Sequence, residues 1–311
     1  MGKRSVREEG ITVGSLRHRT RFSWSAWLSA AVLVFATAAC DGAGTAVLEH
    51  PIMMDSNGPG TELYVLDDAG TIHKYRVSEN GLSEYGSIAV PSDFVAADMT
   101  YARSETPESI LMAGTQSGRS GVVLRLSVDG GTLKTWGFQN ICGGVDSGAR
   151  NHTAYVATSD SNEIYKVDLR ATGITPIARI PDAVKLGPVA YDDAGQKIYV
   201  ADVASGKVYE YAIATKSSRV FLTNLSAPSA LAFDAETNRL FVADPGQRAI
   251  FVADAHAARP VAVPFVTEPL RAPYGMTLIS GARVAVADHS LNSILVFSSR
   301  GTLLFRFPAA Q

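Results

Sequence analysis

The segment Leu240-Phe-Val-Ala-Asp-Pro-Gly-Gln-Arg-Ala-Ile-Phe251 decides the fold. An apolar run of aromatic and β-branched residues ends on an acid, turns through Pro-Gly, and gives way to a second apolar run. That is the pattern of two antiparallel strands joined by a short hairpin. Its first five residues recur as Leu63-Tyr-Val-Leu-Asp67, Ile110-Leu-Met-Ala-Gly114, Ala154-Tyr-Val-Ala-Thr158, Ile198-Tyr-Val-Ala-Asp202 and Val284-Ala-Val-Ala-Asp288. Successive starts lie 47, 44, 44, 42 and 44 residues apart. A period between ~20 and ~50 residues marks a repeat architecture.

Three further segments accompany each core. An alternating stretch follows it at Thr71–Val77, Val122–Val128, Glu163–Leu169, Lys207–Ile213, Ala249–Ala255 and Ser293–Ser299, and then an outer one at Ser83–Val90, Thr132–Phe138, Ile174–Ile180, Arg219–Leu225, Pro260–Val266 and Thr302–Phe307. A fourth precedes the core, often after proline, as in Val189-Ala-Tyr-Asp192, Ser229-Ala-Leu-Ala-Phe-Asp234 and Tyr274-Gly-Met-Thr-Leu278. Four strands per ~44 residues, six times over, predict an all-β, six-bladed β-propeller spanning residues 40–311. The chain starts on an innermost strand and ends on an outermost one. Ring closure therefore rests either on blade 1 packing against blade 6 or on an added strand from residues 41–50. Arg103–Ser109, containing Pro107, reads as an enlarged hairpin loop within blade 2.

Residues 1–39 read as an export signal. Six basic residues against two acidic ones in 1–21 are followed by an apolar stretch from Ala26 to Ala36 and by small side chains. Thr37-Ala38-Ala39-Cys40 resembles the lipobox of bacterial lipoproteins, which implies acylation of Cys40, although Thr37 stands where that box has an aliphatic residue. A plain signal cut nearby and an uncleaved anchor are the alternatives. All place the body of the chain outside the cytoplasm: as a membrane-anchored lipoprotein, or as a secreted or periplasmic protein.

After residue 21 the chain holds 22 basic and 28 acidic residues, a balance that argues against a phosphate-binding surface and so against a nucleic-acid partner. Only Cys40 and Cys142 are present. With Cys40 acylated, Cys142 has no intramolecular partner and is expected to be a small buried hydrophobe.

The repeats, clearest in blades 4 to 6, resemble NHL repeats. Their pattern of Pro-x-Gly-Ile-Ala-Val-Asp, Tyr-Val-Ala-Asp and Asn-Arg-Ile-x-x-Phe is matched by Pro228-Ser-Ala-Leu-Ala-Phe-Asp234 and Tyr199-Val-Ala-Asp202. A related superfamily, the gluconolactonase-like propellers, carries a divalent metal on Glu-x-Pro, Asn-Gly-Leu and Asp-Gly-Met motifs. Glu49-His50-Pro51 matches the first; Ser229-Ala230-Leu231 and Tyr274-Gly275-Met276 depart from the others. One ligand of three does not carry the metal site over. Related zinc lyases use three inner histidines, but His50, His152 and His289 fall at three different strand positions. No cofactor and no metal are expected, and no catalytic residue is assigned.

Asp55, Asp98, Asp146, Asp192 and Asp234 near the ends of inner strands, and Asp67, Asp202, Asp244 and Asp288 at the ends of cores, recur from blade to blade and read as turn caps. Residues that break the repeat are the candidates for a ligand-binding rim: Glu49, Asp93, Arg271, Tyr274 and His289. The expected function is an envelope binding module that presents this rim to a small molecule or an envelope protein. The alternative is a gluconolactonase-like hydrolase or lyase with a rearranged channel site.

Overall fold

The computed structural model describes residues 47–308. The expected signal 1–39 and Cys40 lie outside the described residues. Twenty-four strands form six antiparallel sheets of four, each sheet taking its strands in chain order. The chain folds as a six-bladed β-propeller.

The recurring cores are the second strands of the blades: Glu62–Asp67, Ser109–Gln116, Thr153–Thr158, Lys197–Asp202, Arg239–Asp244 and Arg283–Asp288. Neighbouring blades cover both faces of each sheet. These strands are therefore buried almost without interruption, and they read as continuous apolar runs rather than as an in-and-out alternation. The outer strands, such as Leu82–Ala89 and Thr132–Phe138, are mostly half-buried or exposed. Blade 5's outer strand is Val263–Val266, three residues shorter at its start than the expected Pro260–Val266.

Each hairpin between second and third strands ends on one residue with positive φ: Gly70, Gly118, Asn162, Gly206, Arg248 and Asn292. Glycine and asparagine tolerate that conformation best and supply five of the six.

Six apolar clusters lie between the blades, each built from two neighbours. Ring closure is one of them. Leu63, Val65 and Tyr75 of blade 1 pack with Ala285, Ile294 and Val296 of blade 6. Blades 1 and 6 share no strand; packing joins them, with hydrogen bonds across the seam. Ser280 N–H donates to Gly60 O (2.9 Å). Arg283 Nη1 donates to Ser78 O (2.7 Å), and His50 N–H to Asn292 Oδ1 (2.6 Å).

Blade 1 also buries an ion cluster. His73, with no exposed surface, sits where other blades place Leu124, Tyr165, Tyr209, Phe251 or Leu295. Its Nε2 lies 2.9 Å from Asp67 Oδ2 and its Nδ1 3.0 Å from Glu84 Oε1. Burial opposes the charge, but the two carboxylates win and hold the imidazole pKa above its ordinary value. A folded pKa above the unfolded one stabilises fully below about pH 6.5, and that contribution is lost as pH rises through the folded value. The Tm difference between the wild type and His73→Gln is therefore expected to be widest near pH 5 and to close toward pH 9. A gap that widens with pH would contradict a protonated His73.

Candidate ligand-binding channel

The innermost strand of a propeller blade has a free edge facing the axis, and its amides need partners that no strand supplies. Blades 1 to 3 supply them with aspartates. Asp55 Oδ2 accepts Tyr101 N–H (2.8 Å), Asp98 Oδ2 accepts Val145 N–H (3.0 Å), and Asp146 Oδ2 accepts Tyr191 N–H (2.8 Å). Each carboxylate thus clamps its own blade to the next.

Asp192 and Asp234 behave as the turn-cap reading expects, accepting Gly195 N–H and Glu236 N–H within their hairpins. Asp202, Asp244 and Asp288 receive turn amides too. They also hold the incoming crossover, as when Asp202 accepts Val184 N–H (2.8 Å) and Lys185 N–H (3.0 Å). For Asp55, Asp98 and Asp146 the turn reading fails. The offset to the core carried the distinction: Asp192 and Asp234 stand six residues before it, Asp55 and Asp146 eight. Two residues further back along a strand is a position on the same face but one step deeper in the ring.

The enlarged hairpin of blade 2 turns Arg103 into the same space. Its Nη2 lies 2.9 Å from Asp55 Oδ2 and its Nη1 3.0 Å from Asp146 Oδ1. Thr100 Oγ1 is within hydrogen-bond reach of both carboxylates, and Thr277 Oγ1 of blade 6 donates to Asp55 Oδ1 (2.7 Å). Burial works against the guanidinium, but Asp55 and Asp146 outweigh it and raise its pKa. Burial also raises the Asp146 pKa, with Arg103 opposing. Asp98 has no cation beside it. Burial pushes its pKa up to about 7, nearby Asp146 adds to the shift, and the Val145 and Met99 amides oppose it.

These groups form one wall of a channel of about 380 Å³. The opposite wall, from blades 5 and 6, is Ala230, Leu231, Ala232, Gly275 and Met276. At the registers where blades 1 and 3 carry Asp55 and Asp146, blades 4 and 5 carry Ala190 and Ala232. Those side chains are small and leave the space open; its charged lining residues all come from blades 1 to 4, and blades 5 and 6 contribute none. The acid at Asp98 has a thermodynamic signature. With its folded pKa above 3.8, its favourable contribution is present at low pH and is lost as pH rises through about 7. Asp98→Asn is expected to flatten the fall in Tm between pH 4 and pH 8, as scanning calorimetry would read it.

The five rim candidates all lie on the face where the chain crosses between blades. Tyr274 lines the channel mouth. His289 packs against it edge-on, ring centroids 5.5 Å apart, and against His50 at 4.8 Å, with Asp68 Oδ2 3.6 Å from its Nε2. Glu49 and Arg271 are exposed, Arg271 giving its amide to Asp288, and Asp93 accepts from Gln116 Nε2 (3.1 Å). The structure thus brings Tyr274 and His289 together; Glu49, Asp93, Arg271 and His289 are not among the channel-lining residues. His152 pairs with Glu105 (2.8 Å) on the opposite, hairpin face. Ser229, Ala230, Tyr274 and Gly275, at the departed metal motifs, line the channel. Among the described residues no group of three or more His, Cys, Asp or Glu is arranged to hold a metal ion. Cys142 is free and fully buried, and burial pushes its thiol pKa up to about 12.

Fold and site together define a six-bladed β-propeller with a charged axial channel. No family model and no curated protein sequence matches the chain. Solved structures match it in fold. A chain of a nidogen/laminin complex superposes with a TM-score of 0.65 at 16% identity, covering 79% of this chain and 92% of its own. A streptogramin B lyase reaches 0.60 at 12%, covering 86% and 85%. The virginiamycin B lyase from Staphylococcus aureus reaches 0.59 at 12%, covering 84% and 85%.

Proposed function

We propose that this propeller is a binding module of the cell envelope, exported by residues 1–39 and anchored through lipid on Cys40, which takes a ligand into its axial channel. The observation that carries the reading is the two-sided channel. An ionisable carboxyl at Asp98 and small apolar side chains of blades 5 and 6 line the same channel. A ligand that presents an amine or another hydrogen-bond donor on an apolar body satisfies both walls. Asp55, Arg103 and Asp146 are committed to one another and to backbone amides, which suits a scaffold rather than proton transfer. A propeller in a nidogen/laminin complex shows the fold within a protein–protein assembly, and the lyases show it in enzymes. A hydrolase or lyase with a rearranged site is the second reading.

A thermal-shift screen of the purified chain against alkyl and aryl amines tests the module. A hit should raise Tm, bind more tightly as pH rises through about 7 and Asp98 ionises, and be lost in Asp98→Asn. Turnover of a lactone or of a streptogramin, with no amine binding, would replace the module by the enzyme. For the anchor, incorporation of a radiolabelled fatty acid is expected to disappear in Cys40→Ser; a variant that still labels refutes it.

A further inference from the structure

We propose that the ligand of the channel is a short peptide with both ends free, its ammonium group at Asp98 and its carboxylate on Arg150. The inference rests on the binding-module reading above and names the class of molecule that the module takes.

The charged residues that line the cavity are Asp55, Asp98, Arg103, Asp146, Arg150 and Asp193. Asp55, Arg103 and Asp146 are bound up with one another. The rest are uncommitted. Asp98 accepts the Met99 and Val145 amides and has no cation beside it. Arg150 is exposed, and among the described residues no carboxylate lies within ion-pair distance of its guanidinium. Asp193 accepts the Tyr191 hydroxyl on Oδ1 (3.3 Å), whereas its Oδ2 is buried and receives no hydrogen bond. A buried carboxylate oxygen without a donor is costly, and a ligand N–H placed there recovers the loss.

These groups stand at different depths. Through its bond to Val145 N–H, Asp98 lies level with a residue two places before the end of blade 3's inner strand, Cys142–Ser147. Two residues of strand measure about 7 Å. Arg150 belongs to the hairpin beyond that end, and Asp193 to the neighbouring hairpin of blade 4, just past Leu186–Asp192. Gly58, Ala149, Ala194 and Ala235, from four hairpins, contribute only small side chains to the lining on this side.

Two extended residues of peptide span about 7 Å, so a dipeptide reaches from Asp98 to the hairpin rim. The long side chain of Arg150 covers what remains, and its planar fork matches a carboxylate. A single α-amino acid holds its two charges too close together to meet both groups. The peptide N–H, between the two ends, is the donor that Asp193 Oδ2 lacks. Ala230, Leu231, Ala232 and Met276 offer apolar contact to the side chains.

Calorimetric titration of the full chain, above about pH 7 so that Asp98 is ionised, with leucyl-leucine, its C-terminal amide and hexylamine tests the assignment. Amidation is expected to weaken binding about ten-fold, the loss of one charge-assisted pair. In Arg150→Gln, leucyl-leucine and its amide should bind alike; Arg150 is exposed, so the substitution does not disturb the core. Equal affinity for the two peptides in the wild type, or a difference that persists in Arg150→Gln, overturns the inference. Binding of hexylamine without binding of leucyl-leucine overturns the inference alone. Binding of neither overturns the module reading along with it.

Discussion

Arg103→Ala is expected to lower the stability of the ring by about 3 kcal/mol, and Tm by roughly 6–10 °C. The guanidinium holds Asp55 of blade 1 and Asp146 of blade 3 from a loop of blade 2, so three blades meet on one side chain. Removing it leaves two carboxylates in the channel with no cation, and an unpaired charge costs far more there than a surface pair is worth. The sign of the pH dependence follows. The Asp146 pKa is already raised by burial with Arg103 present, and rises further without it. Protonation then removes the uncompensated charge, so the deficit of the variant narrows as pH falls. Denaturant melts of both proteins at pH 5 and pH 8 would show it. A deficit that is constant or larger at pH 5 would mean that Arg103 acts by packing alone.

Tyr75→Ala is the second large effect, with an expected loss of about 3–5 kcal/mol. Tyr75 is fully buried in the cluster that closes the ring, packed edge-on against Phe307 at 5.2 Å. Because packing rather than a shared strand joins blades 1 and 6, a cavity here weakens the one junction that chain connectivity does not back up. The hydroxyl of Tyr75 is buried without a hydrogen-bond partner. Tyr75→Phe keeps the ring and removes the unsatisfied group, so it is expected to be neutral or stabilising by up to about 1 kcal/mol. Hydrogen exchange gives the spatial reading: Tyr75→Ala should lose protection first in the strands of blades 1 and 6. Equal losses in Tyr75→Phe and Tyr75→Ala would show that the hydroxyl, not the ring, matters.

The architecture was legible because a propeller repeats its physics. Each second strand is buried on both faces, so each blade spells the same aliphatic or aromatic run ending in a small or acidic residue, and the period exposes the count. The turns were legible for a similar reason: a left-handed residue before each third strand favours glycine or asparagine locally, and five of the six blades supply one. The enlarged loop of blade 2 could be read as a loop, but its chemistry could not. Nothing near Arg103 in sequence announces that its charge is met by Asp55, 48 residues earlier, and by Asp146, 43 residues later.

The aspartates show where the boundary falls. Asp192 caps a turn three residues away, a local interaction that composition and spacing reveal. Asp146 bonds an amide 45 residues away on another blade, and only the closed ring brings the two within 2.8 Å. By itself the sequence determined the repeat, the number of blades and the order of strands within each, since these follow from short-range periodicity and burial. The tertiary structure alone decided that three of a series of similar acids leave the hairpins for the axis. It also decided that blades 5 and 6 leave open space opposite them, and that packing closes the ring. Those outcomes depend on which free strand edges and which side-chain volumes face one another around the axis, a relation between distant blades that no single repeat contains.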